Sequence, residues 1–125
     1  MHKCAALFVG ALFLGMSVAP AFAESQTVRG ILVDLSCYSH DKSNTGNAHK
    51  GMKSETCAQD CAKMGQPVAV VTTDGKVYQV TGDLAANNNA KLVPHMSHTM
   101  EITGDVTTKN GAMMIAASQL KMISK

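Results

Sequence analysis

The sequence has no tryptophan, and its three phenylalanines, Phe8, Phe13 and Phe22, all fall within the first 23 residues. Beyond them Tyr38 and Tyr78 are the only aromatic side chains. Glycans and single-stranded nucleic acids are usually held by stacking on aromatic platforms, so the chain is poorly equipped for either. A dominant charge is also missing. With Lys3 set aside, ten basic side chains face nine acidic ones. A net of about +1 gives no field to gather a polyanion or an anionic membrane. No nucleic-acid partner is expected.

Long apolar runs are absent except for one, Cys4 to Pro20, which follows His2 and Lys3 and leads to Ala21-Phe22-Ala23. A charged start, an apolar middle and a small-x-small end are the pattern of a secretory signal peptide. Residues 1–23 are therefore expected to be a leader, the mature chain to begin at Glu24, and the location to be periplasmic or secreted. No lipid-attachment pattern surrounds Cys4, and no later run approaches the ~20 residues of a membrane span. No membrane anchor is expected.

Residues 24–125 are expected to form a single domain with one modest core built from Val, Ile, Leu, Met and Ala. So small a core gains from a staple, and an exported chain has disulfides at its disposal.

Thr27–Ser36 is rich in β-branched and apolar residues and predicts a first strand, bent at Gly30. The polar stretch 38–54 predicts a surface loop. Thr56 and Gln59 have capping-box spacing, so residues 55–64 predict a helix, stopped by Gly65 and Pro67. Residues 68–73 and 76–81 flank Asp74-Gly75, which predicts a two-residue type I′ hairpin. Residues 83–97 predict a loop with one helical turn ending before Pro94. A second hairpin is expected around Lys109-Asn110-Gly111. Five strands in this order predict a mainly β fold, the five-stranded Greek-key barrel of the oligonucleotide/oligosaccharide-binding (OB) type with one short cysteine-bearing helix after strand 1. A small β-sandwich is the alternative.

Two elements carry a resemblance: Val33-Asp34-Leu35-Ser36-Cys37-Tyr38, and Cys57-Ala58-Gln59-Asp60-Cys61-Ala62 leading to Gly65-Gln66-Pro67. With the strand Ile102–Val106 they resemble a largely uncharacterised family of small exported bacterial proteins. The resemblance implies the OB-like barrel and brings no activity or catalytic residue with it.

Three cysteines remain beyond the leader: Cys37, Cys57 and Cys61. On an intact helix Cys57 and Cys61 have Cβ atoms roughly 5–6 Å apart, too far for the 3.5–4.5 Å, approximately, of a disulfide. Cys37 can reach one of them instead, closing a loop of about twenty residues for about 3 kcal/mol. The other reading makes Cys37, Cys57 and Cys61 ligands of a soft metal, Zn(II) or Cu(I), with a fourth from His40, His49 or the His95/His98 pair. Met52, Met64, Met96 and Met100 are further sulfur donors. A disulfide is expected in the resting protein and metal binding in the reduced one.

Other chemistry is less well provided for. There is no Cys-x2-Cys-His for haem and no Cys-x2-Cys redox pair. A thiol nucleophile would be Cys61 activated by His40 or His49, or Cys57 near the helix start. Asp34, inside an apolar strand, needs partners; it is expected to accept backbone hydrogen bonds from the segment after Cys37, or to act as a hard-metal ligand beside Asp41. Two functions follow. One is an exported accessory module with a three-cysteine metal centre. The other is a disulfide-stapled domain that contacts a partner protein, peptide, glycan or small ligand.

Overall fold

The structure, a computed structural model, describes residues 23–45 and 57–125. All but the last residue of the expected leader, and residues 46–56 with His49 and Met52, lie outside the described residues. Five strands form: β1 Glu24–Asp34, β2 Val68–Val71, β3 Val77–Thr81, β4 Thr99–Lys109 and β5 Ala112–Ser124. They close into a barrel in the order β1-β2-β3-β5-β4. Every pairing is antiparallel except β3 with β5. This is the expected mainly β, Greek-key closure.

β1 serves two neighbours. Glu24–Ile31 pair with β4 and Ile31–Asp34 pair with β2, so the strand changes partner just after Gly30. A Cβ built on Gly30 would lie 2.2 Å from the Val71 carbonyl oxygen, and only a residue without a side chain lets the two backbones cross there. The predicted bend is where the barrel closes.

The two hairpins differ from each other. Asn110 and Gly111 have φ of 51° and 79°, the two positive values of a two-residue type I′ turn. At Asp74-Gly75 only Gly75 is at positive φ, 83°. There the Thr72 amide donates to Lys76 O (2.9 Å) and the Gly75 amide to Thr72 O (3.0 Å), which makes a three-residue loop ending in a bulge. The predicted type I′ turn is corrected at this position. The Thr72 hydroxyl satisfies both Asp74 and the Lys76 amide, an arrangement that lets Asp74 keep negative φ.

The barrel interior is aliphatic. Leu32, Val70, Met100, Ile102 and Ile115 are fully buried, and Leu84, Leu92 and Met96 join them from the β3–β4 connection. That connection is a 3-10 turn Asp83–Ala85, a four-residue turn Ala86–Asn89 and a second 3-10 turn Val93–His95. Pro94 lies early within the last turn rather than beyond it, at a position where a missing N–H goes unneeded.

Two helices bear the cysteines where one was expected. β1 stops at Asp34, and Leu35–His40 form helix α1. Cys37 is therefore helical and not the end of a strand. The reason is local: Asp34 has extended φ/ψ and its Oδ1 accepts the Cys37 amide at 2.8 Å, an N-cap. Helix α2, Cys57–Lys63, turns Ala58 and Ala62 into the barrel core. Outside the barrel, Tyr38 of α1 covers Val33 and Ala69 in a second small core. Both faces of β1 are thus buried at its carboxyl end.

Candidate metal centre

The carboxyl end of β1 delivers Asp34 and, three residues later, Cys37; α2 delivers Cys57 and Cys61. The termination of α2 is specific. Gly65 takes φ of 84°, its amide donates to Ala62 O (3.0 Å) and the Gln66 amide to Cys61 O (3.2 Å), which is a Schellman motif. Asn89 then donates its side-chain amide to Ala62 O and Gln66 O, both at 2.9 Å. Asn89 is buried at a left-handed φ of 59°, following Asn87 and Asn88 at 53° each. Asparagine tolerates that conformation better than other side chains do. The Asn-Asn-Asn run, taken from sequence as plain loop, is the clamp on the last turn of the Cys61 helix.

The ligand atoms of Asp34, Cys37 and Cys61 all lie within 4.8 Å of one another. Cys57 and Cys37 are near enough to Cys61, and Asp34 to Cys37, to influence how the two thiols titrate. Asp34 and Cys37 also line a small cleft with Asn44, Cys57 and Ala58, whose free volume is about 10 Å³. None of the three cysteines is in a disulfide. The expected tether is not formed; the Cys37 and Cys61 sulfurs meet beside Asp34 instead, with Cys57 outside that group.

Asp34 is the unusual member. Only 4 % of it is exposed, and while Oδ1 caps α1, Oδ2 is buried with no hydrogen-bond partner. A buried carboxylate oxygen left bare is costly, and a bound cation is one group that would satisfy it. Asp41 takes no part in this cluster: its Oδ1 accepts the amide and hydroxyl of Ser43.

Electrostatics keep the thiols protonated. Burial first, then the hydrogen bond and charge of Asp34, push Cys37 up from 9.0 to about 12. Cys61 is likewise raised, by burial and then by Asp34 and Cys57. Such thiols are poor nucleophiles, which opposes a thiol enzyme built on Cys61. The shift has a pH consequence. A thiol whose pKa rises on folding contributes stability below its unfolded value and loses it as pH climbs to the folded one. Metal-free protein should lose stability between pH 9 and 12 through Cys37. Thermal melts across that range should show a shallower loss for Cys37→Ser, whose hydroxyl stays protonated.

Of the other expected ligands, His40 is exposed at the end of α1 and lies outside the three-residue cluster. His49 lies outside the described residues. Met96 and Met100 are packed into the barrel core and Met64 is 69 % exposed, so none of these offers sulfur to the site. His95 and His98 stack edge-on at 6.3 Å elsewhere, each with a buried, unpartnered Nδ1. Burial and then the charges of His95 and Lys125 lower the His98 pKa.

The chain matches no family model, curated protein or solved structure. No function comes to it from outside. The chemistry of the site carries the functional reading. Among the described residues no helix is long and apolar enough to cross a membrane.

Proposed function

We propose that the protein is a small exported metal-binding module that holds one Zn(II) ion through Asp34, Cys37 and Cys61, with Cys57 as the fourth ligand. The observation that carries this reading is the bare, buried Oδ2 of Asp34 beside sulfurs within 4.8 Å. Tetrahedral zinc bonds of about 2.3 Å to sulfur and about 2.1 Å to oxygen separate its ligand atoms by about 3.6–3.8 Å. Side-chain rotation covers the difference. A mixed oxygen and sulfur set suits borderline zinc, whereas Cu(I) selects thiolate and thioether over carboxylate.

The size of the cleft beside Asp34, Cys37 and Cys57 favours holding an ion over turning over a substrate. About 10 Å³ is on the order of one water-sized sphere, too small for an organic molecule. Four protein ligands around zinc are the arrangement of a structural or carrier site; a catalytic site leaves one position open.

Because Cys37 and Cys61 hold their protons, zinc must displace them, and affinity should rise steeply with pH. Titration of reduced full-length chain against a chromophoric zinc chelator should give one site per chain, with at least two protons released into a weakly buffered solution. Cys61→Ser should lose that site. Binding without proton release, or equal affinity in Cys61→Ser, would reject the assignment, and a preference for Cu(I) carried by Cys37, Cys57 and Cys61 would replace zinc as the ion.

A further inference from the structure

A cavity of about 590 Å³, lined by none of the cysteines, opens between β1, Tyr38 of α1, the β2–β3 turn, the start of β4 and the segment after α1. Its volume falls within the roughly 300–1,000 Å³ of small-molecule sites. Its lining includes the apolar Ile31 and Val71 and the cations Arg29 and Lys42. No carboxylate among the described residues lines it. Arg29 lies across from Glu101 in the β1–β4 register, yet neither Arg29 nor Lys42 makes an ion pair among the described residues.

Tyr38 adds a neutral donor. Its ring is packed on Val33 and Ala69, but it lines this cavity, and its hydroxyl is not sealed off as a buried atom without a partner, so it is open to donate to a guest. An accessible phenol donor, two cations outside any described ion pair and two apolar side chains suit one kind of guest.

We infer that this cavity is a second binding site, for a small organic anion with an apolar body and a carboxylate or phosphate head. The head lies between Arg29 and Lys42 and accepts from the Tyr38 hydroxyl, while the body covers Ile31 and Val71. Charge-assisted hydrogen bonds to a guanidinium are the strong component. The threonine hydroxyls of residues 73 and 99, which also line the cavity, bond the remaining head oxygens. None of these residues belongs to the thiol centre, so the two proposals stand or fall separately.

The test uses ¹⁵N-labelled full-length protein titrated with benzoate, phenyl phosphate and, as a neutral control, benzyl alcohol. One or both anions should saturate at up to millimolar concentration, shifting the amides of Gly30, Tyr38 and Thr73, and the better of the two identifies the head group. Benzyl alcohol should not saturate. Arg29→Gln should weaken binding at least about tenfold, the scale of a lost charge-assisted bond, and Tyr38→Phe should weaken it while leaving the fold and zinc binding intact. The inference is overturned if neither anion saturates, if the shifts fall elsewhere, or if Arg29→Gln and Tyr38→Phe bind as the wild type does.

Discussion

Gly30→Ala and Gly104→Ala should each cost about 3 kcal/mol, the upper range of overpacking. In a domain of this size that is a fall of roughly 12–24 °C in the unfolding midpoint. A Cβ at Gly30 would lie 2.2 Å from Val71 O, and one at Gly104 would lie 2.2 Å from Ala116 O. Both obstacles are backbone, which cannot rotate aside. Gly104 also adjoins the register shift between Thr103 and Gly104 in the β4–β5 ladder, so its displacement would disturb that ladder. Gly75→Ala is the control. Its φ is 83° but nothing lies within 4 Å of the added carbon, so the loss should be only about 1 kcal/mol of left-handed strain. Urea unfolding of the three variants separates crowding from strain, and equal losses would contradict the close approach at Gly30 and Gly104.

Zinc should be the largest single stabiliser of the folded chain. At a thousandfold excess over its dissociation constant an ion bound only by the native state adds about 4 kcal/mol. That gain is a rise of roughly 16–32 °C in midpoint. The rise should vanish in Cys37→Ser and in Cys61→Ser and persist in His40→Ala. Asp34→Asn is the informative variant, because an asparagine still caps α1 through the Cys37 amide but presents a neutral amide where the bare Oδ2 lies. Metal-free Asp34→Asn should therefore fold with little change, and zinc should recover only a small part of the wild-type rise. Full zinc stabilisation of Asp34→Asn would remove the carboxylate from the ligand set.

The barrel was legible from sequence because its signals are local. Val68–Val71 and Val77–Thr81 are β-branched runs, Asn110-Gly111 supports the one backbone geometry that joins two strands in two residues, and Gly30 marks a bend. Asp74-Gly75 misled because the same dipeptide also ends a three-residue loop, and the choice was made by the Thr72 hydroxyl. Helix α1 was hidden for another reason. Leu35–His40 is too short to show a period, and it is helical because Asp34 caps it and Tyr38 finds cover on Val33 and Ala69.

At the site, Cys37, Cys57 and Cys61 were legible as chemistry but their disposition was not. The pairing of β1 with β2 and the bond from the Leu35 amide to Pro67 O (2.9 Å) set the end of β1 beside the segment that follows α2. That long-range contact makes Asp34 a member of the cluster, a role which an apolar strand context expresses only as a carboxylate in need of partners. Asn89 is the same case: the asparagine run is visible in sequence, its destination at Ala62 O and Gln66 O is not.

Joint binding of one metal ion by Asp34, Cys37 and Cys61 can be read from X-ray absorption at the zinc K-edge of the reduced, stoichiometrically loaded full-length chain. The expected spectrum is that of a four-coordinate ion with a sulfur shell at about 2.3 Å and an oxygen at about 2.1 Å, the oxygen contribution altered in Asp34→Asn. A first shell of oxygen and nitrogen without sulfur would contradict the proposed centre.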